Sequence, residues 1–200
     1  MELKLMVSKR IKIAIIVVVV LIVGFFGSVG VLFVIGHTPH VSDVQVSNPE
    51  GNAGVAFVVY QPGISNFQEK VTNAFVEGLI SNDWRVEITT ASSQTPTDLS
   101  NYDLLVLGSP IYADTPAQPV MDYVSNVGDL EGMNTVILLT GGAGTGDEAP
   151  SILGNHVQEA NGIVVKSLML YSTSASNEEQ YGTTDPLEIA TKAGQECPLP

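Results

Sequence analysis

Residues 55–60 read Val-Ala-Phe-Val-Val-Tyr, residues 103–107 Asp-Leu-Leu-Val-Leu, and residues 135–139 Thr-Val-Ile-Leu-Leu. A strand with one wet face alternates polar and apolar side chains, so runs lacking that alternation predict strands covered on both faces. Residues 85–90 do alternate and predict a strand nearer a sheet edge; residues 163–171 predict a fifth strand. Between the first two strands, Val71, Ala74, Phe75, Gly78 and Leu79 recur on one helical face. They follow Ser65-Asn-Phe-Gln68, which has the spacing of a capping box. Further helical patterns cover residues 117–125, 149–160 and 186–193. Strands that alternate with helices form parallel βαβ units with right-handed crossovers. These patterns predict an α/β, doubly wound, five-stranded parallel sheet within residues 54–196. Residues 172–184 are hydrophilic and predict an exposed loop.

A different segment precedes this domain. Residues 13–35 carry no charge, and Ser28 is their one polar side chain. As a helix at about 1.5 Å per residue this run can cross a hydrocarbon core of about 30 Å. It is longer than the apolar part of a cleaved signal peptide and lacks a small-residue exit site, so residues 13–36 predict an uncleaved transmembrane anchor. Lys4, Lys9, Arg10 and Lys12 precede the run, and the next basic residue is Lys70. The positive-inside rule then leaves residues 1–12 in the cytoplasm and sends the domain outside the cell membrane, as a single-pass protein. Residues 37–53, rich in Ser, Asn, Gly and Pro, read as a linker, and 197–200 as a tail.

Beyond the anchor 4 basic residues face 20 acidic ones, a net charge of −16. Such a surface does not suit nucleic acid, which needs cations to replace phosphate counterions. Cys197 is the single cysteine, which excludes an intrachain disulfide and multi-cysteine metal sites. It leaves an intermolecular disulfide open. His37 and His40 lack the helix and the further ligands a metal site needs, and His156 falls on a predicted helix away from the strand ends. No catalytic residue and no metal ligand is predicted.

In a doubly wound sheet, ligands bind beyond the carboxyl ends of the strands, where the first and third strands part. Three loops lie there: residues 61–67 (Gln-Pro-Gly-Ile-Ser-Asn-Phe), 108–114 (Gly-Ser-Pro-Ile-Tyr-Ala-Asp) and 140–148 (Thr-Gly-Gly-Ala-Gly-Thr-Gly-Asp-Glu). The first ends at a helix N-terminus, where free N–H groups favour an anion. It lacks the lysine of a triphosphate loop, which argues against ATP or GTP hydrolysis. In the second, Gly108 and Pro110 are expected to redirect the chain and present Tyr112 to a planar ligand. The glycines of the third allow backbone to approach a ligand closely. A phosphoacceptor aspartate at the end of the third strand is missing, since Gly108-Ser109 stands there.

Together these loops resemble the flavodoxin-like family, and a membrane-tethered group within it whose first loop carries Gln-Pro-Gly. The resemblance covers residues 54–193 and is strongest at Tyr102-Asp-Leu-Leu-Val-Leu-Gly-Ser-Pro-Ile-Tyr112 and Gly144-Thr-Gly-Asp147. It implies strand order 2-1-3-4-5 and an FMN cofactor used for electron transfer with an unidentified redox partner. It implies a phosphate held by Gln61, Pro62, Gly63, Ile64, Ser65, Asn66 and Phe67. Ser109, Pro110, Ile111 and Tyr112 would flank the flavin ring, and Gly142, Gly144, Gly146 and Asp147 would meet its polar edge. The first loop departs from the hydroxyl-rich run of flavodoxins, keeping only Ser65 and Asn66, while Pro62 removes an N–H. Asp114, Asp147 and Glu148 near the ring imply a lowered potential for the last reduction step. An exported domain would take up its flavin before export or outside. The alternative is a cofactor-free module that binds a protein or small molecule in the same crevice.

Overall fold

The computed structural model describes residues 9–36, 38–142, 146–172 and 181–198. It divides into two compact units, residues 1–35 and 36–200. His37, Gly144, the tip of the expected 172–184 loop and most of the basic N-terminal flank lie outside the described residues.

The first unit contains one helix, α1 (Lys9–Gly36). Its window Ile11–Ser28 has a mean hydropathy of 2.7. Ile15, Leu21 and Phe25 are more than half exposed, as suits a helix without a polar face. Ser28 Oγ donates to the Phe25 carbonyl (2.8 Å), so its hydroxyl is satisfied within the helix. By length and composition α1 can cross a membrane; a signal sequence near an N-terminus meets the same measure.

The second unit runs β1 (Gln45–Ser47), β2 (Gly54–Tyr60), α2 (Phe67–Ser81), β3 (Trp84–Thr90), β4 (Leu104–Tyr112), β5 (Thr115–Pro116), α3 (Gln118–Val127), β6 (Asn134–Gly141), α4 (Ala149–Glu159), β7 (Ile163–Tyr171) and α5 (Pro186–Gln195). The sheet order is β1-β3-β2-β4-β6-β7, with β5 paired to β4. Pairings from β3 through β7 are parallel. The unbroken apolar runs are explained by two cores, one on each face. Ala56, Val58, Val106, Val136 and Leu138 point to α2 and α5; Phe57, Val59, Leu105, Leu107, Ile137 and Leu139 point to α3 and α4.

Four expectations change. The sheet has seven strands among the described residues rather than five, because two short antiparallel strands, β1 and β5, are added. β1 lies inside the expected linker 37–53, so that segment is docked chain. Thr90 Oγ1 donates to the His40 carbonyl (2.6 Å), Thr90 N–H donates to Ser42 Oγ (3.1 Å), and Gln45–Ser47 pair with Val86–Ile88. The expected turn at Gly108 is continuous strand, since β4 runs on through Pro110 to Tyr112. Pairing with β2 ends at Gly108, so the N–H that Pro110 lacks breaks no rung on that side. Finally, the capping box does not form: Asn66 stands at the N-cap without a side-chain bond, and Gln68 is buried.

Cys197, at the start of the expected tail, is also part of the fold. Cys197 is 5% exposed and packs in the α2/α5 core, and burial pushes its thiol up to about 11, partly opposed by Lys166. At pH 8 the native thiol is expected to resist alkylation by iodoacetamide and to react fully only in denaturant. The native state keeps a proton that the unfolded chain releases above its ordinary value of 9.0, so this group's contribution to stability falls as pH rises from there towards 11. Native alkylation at the rate of a free thiol would show that Cys197 is not packed.

Candidate functional site

A cleft of about 300 Å³ opens beyond the carboxyl ends of β2, β4 and β6. One wall is the turn after β2, with Gly63, Ile64, Ser65 and Phe67. The other is the end of β4, with Pro110, Ile111 and Tyr112. Thr140, Gly141 and Gly142 of β6 and its exit, with Ser172 after β7, complete the lining. Among the described residues, its lining contains no charged side chain.

Its shape follows from local structure. β4 and β5 join through Ala113 (φ 48°) and Asp114 (φ 63°), two consecutive left-handed residues, as a two-residue type I′ hairpin requires. Asp114 Oδ1 accepts the Gly146 N–H (2.7 Å), tying the hairpin to the start of α4. Gly146 has φ +94°, and a Cβ there would come within 2.8 Å of Ile111 Cδ1. Opposite, the Tyr112 hydroxyl accepts the Ile64 N–H at 3.0 Å, bridging the two walls. Burial raises the Tyr112 phenol, and the Ile64 N–H opposes that rise.

Eight of the residues singled out in the sequence line the cleft: Gly63, Ile64, Ser65, Phe67, Pro110, Ile111, Tyr112 and Gly142. Others are placed elsewhere. Gln61 is fully buried, its N–H donates to the Gly108 carbonyl (2.9 Å), and its Nε2 donates to the Thr38 carbonyl (2.9 Å). Its Oε1 has no partner among the described residues. Ser109 is buried as well, its Oγ donating to the Pro110 carbonyl (2.9 Å) and accepting the Ala117 N–H (2.8 Å), which fixes the entry to α3. Pro62, Asn66, Gly146 and Asp147 do not line the cleft, and Gly144 lies outside the described residues. Asp147 and Asp114 do raise the Tyr171 phenol, after burial itself, so both carboxylates stand near the β7 side of this end of the sheet.

Gln68 and Ser172 line the cleft without having been expected at the site, and Thr140 and Gly141 do so as members of the expected loop 140–148. Under its floor, Gln68 Oε1 accepts the Thr140 hydroxyl (2.7 Å), and Gln68 Nε2 donates to Thr72 Oγ1 (3.1 Å). A signal was available: Gln68 lies three and seven residues before Val71 and Phe75, on the apolar face of α2. His156 is structural, with Nε2 at 2.9 Å from Ser125 Oγ and 3.0 Å from the Met121 carbonyl, joining α4 to α3.

No family model matches the chain, and no curated protein matches it in sequence. Solved structures do. A flavodoxin from the domain Archaea is similar over 71% of this chain and 94% of its own, with a TM-score of 0.53 and 18% identity. The two-electron reduced flavodoxin of Megasphaera elsdenii is similar over 71% of this chain and 99% of its own, at TM-score 0.56 and 15% identity. The domain has the flavodoxin-like fold. An NAD(P)H:quinone oxidoreductase from Methanothermobacter marburgensis shares it too, over 72% of this chain and 96% of its own, at TM-score 0.51 and 16% identity. At these identities the likeness is one of fold. The cleft of this flavodoxin-like domain lies where the connections from β2 and β4 turn to opposite faces of the sheet, the usual ligand position in such sheets.

Proposed function

We propose that the cleft binds FMN and that the protein is an electron carrier or FMN-dependent oxidoreductase, tethered by α1 to a membrane with its domain outside. The observation that carries this reading is the uncharged, largely apolar cleft at the switch point, walled by Tyr112 and Ile111 and edged by glycines. The residues present fit the group. Ahead of α2, a helix of 15 residues, the N–H groups of Gly63, Ser65 and Asn66 have no partner among the described residues. They would hold the phosphate with the Ser65 hydroxyl, through neutral donors and the helix dipole. Tyr112 and Ile111 would flank the ring, and backbone at Gly141 and Gly142 would approach its polar edge. FMN, when bound, supplies one- and two-electron chemistry. The chain's part is to exclude water from the ring and to set its electrostatics. Asp114, Asp147 and Glu148 would lower the potential of the final reduction.

The test is a titration of the full chain in mild detergent with FMN, and with riboflavin as the phosphate-free control, followed by quenching of flavin fluorescence. Saturable binding, tighter for FMN than for riboflavin, is the expected result. Absence of saturable quenching by either flavin would overturn the flavin reading in favour of a cofactor-free binding module.

A further inference from the structure

The donors of the turn after β2 are unequally committed. Gln61 spends its N–H on the sheet, and Pro62 has none. Phe67 turns its N–H to Ser65 Oγ at a long 3.4 Å. Among the described residues, the Ile64 N–H alone is claimed from across the cleft, by the Tyr112 hydroxyl at 3.0 Å. Tyr112 is held for this contact by the I′ hairpin that follows it, and Asp114 of that turn is pinned by Gly146. Ile64 itself is half exposed and lines the cleft, and its bond to Tyr112 lies at an exposed position. A phenolic oxygen is a neutral acceptor. A phosphate oxygen at the same N–H is a charged one, and hydrogen bonds to charged groups are roughly twice as strong.

We propose that the Tyr112 hydroxyl is a surrogate for a phosphate oxygen at the Ile64 N–H, so that Tyr112 sets how strongly the cleft prefers a phosphorylated flavin to an unphosphorylated one. This rests on the flavin reading above and goes beyond it, because it assigns the discrimination to one bond. With the hydroxyl in place, the turn keeps its shape, and an incoming phosphate gains the Ile64 N–H only by displacing an existing partner. The net gain is then the difference between two hydrogen bonds. Without the hydroxyl the phosphate gains a whole one. The aromatic ring, which a flavin of either kind would meet, is the same in both cases.

Tyr112→Phe in the full chain, in detergent, separates these contributions. The ratio of riboflavin Kd to FMN Kd is expected to rise roughly tenfold over the unsubstituted chain, with riboflavin affinity little changed. With FMN held at the same multiple of its own Kd for each protein, inorganic phosphate should displace FMN from the variant at lower concentration than from the unsubstituted chain and should leave riboflavin in place. Ser65→Ala provides a second variant, which should lower FMN affinity and leave riboflavin affinity unchanged. An unchanged ratio in Tyr112→Phe, or a fall caused by weaker FMN binding, would overturn the surrogate role while leaving the flavin reading intact. The second outcome would make the hydroxyl a strut or a direct phosphate donor. Failure of both flavins to bind the unsubstituted chain would overturn the two together. The buried Trp84 serves as the check that each variant is folded.

Discussion

Replacing Gly78 with alanine is expected to remove about 3 kcal/mol of stability, although alanine is the better helix former. Gly78 lies in the middle of α2, and across from it runs α5. A Cβ on Gly78 would enter the space of the Thr191 carbonyl oxygen and come within 2.9 Å of Gly194 Cα. The reverse holds for Gly194, whose Cβ would run into the Phe75 carbonyl oxygen. All of these obstacles are backbone atoms, so no side-chain rotamer relieves the clash. The helices must separate, and the core they share with Trp84, Phe75 and Leu79 must loosen. Asn82 Nδ2, which donates to the Gln195 carbonyl, would lose its partner as the gap opens. Trp84 is the single tryptophan and lies in this core, so its emission during urea unfolding of the full chain in detergent reads the effect directly. Gly154 supplies the opposite sign. It sits in α4 with open space around it, so Gly154→Ala is expected to add about 0.5–1 kcal/mol. Equal effects at Gly78 and Gly154 would show that helix propensity rather than packing decides.

Gln68→Leu is expected to cost about 2 kcal/mol, and Thr140→Val added to it to restore roughly half of that. Gln68 is 1% exposed and Thr140 3% exposed, and each satisfies the other with the Thr140 hydroxyl donating to Gln68 Oε1. The shape of leucine is close to that of glutamine, so packing alone predicts little change. The cost comes from the Thr140 hydroxyl, which is left without its acceptor at the head of the core. Removing that hydroxyl as well leaves an apolar contact. Thr72 can turn its own hydroxyl to the preceding turn of α2, as threonines in helices do. A double-mutant cycle by urea unfolding gives the coupling, and strict additivity of the two changes would refute it. Because both residues line the cleft floor, the single variant should also loosen whatever the cleft holds.

What could be read from the sequence was the part governed by local pattern. The runs at 55–60, 103–107 and 135–139 carry their burial on both faces in their own composition. What escaped depends on partners distant in the chain. Gln45, Val46 and Ser47 form a strand only because β3 lies alongside, and in isolation they look like linker. Gly108 and Pro110 look like breakers, and remain in strand because their surroundings, β6 on one side and the end of β2 on the other, make room for them. Gln68 shows the conflict most clearly, since its spacing from Ser65 suggests a cap while its place on the helix face puts it in the core. At the candidate site the turn after β2 was legible as a loop at a strand end, whereas the end of β4 read as a loop and is strand through Tyr112. The buried roles of Gln61 and Ser109 were not, because side-chain direction at a strand end is set by the neighbouring chain.

The docked segment at residues 38–47 changes where this domain can be cut. β1 covers the outer edge of β3 along Val86–Ile88, and Thr38 supplies the one acceptor that the buried Gln61 amide has among the described residues. A protease acting within these residues would do more than release the domain from the apolar helix. It would bare a strand edge, the surface on which chains add to one another as aggregates, and would leave a buried amide beside the cleft with nothing to donate to. A form begun at residue 38 keeps this strand and this acceptor, and one begun at residue 54 has lost part of the sheet.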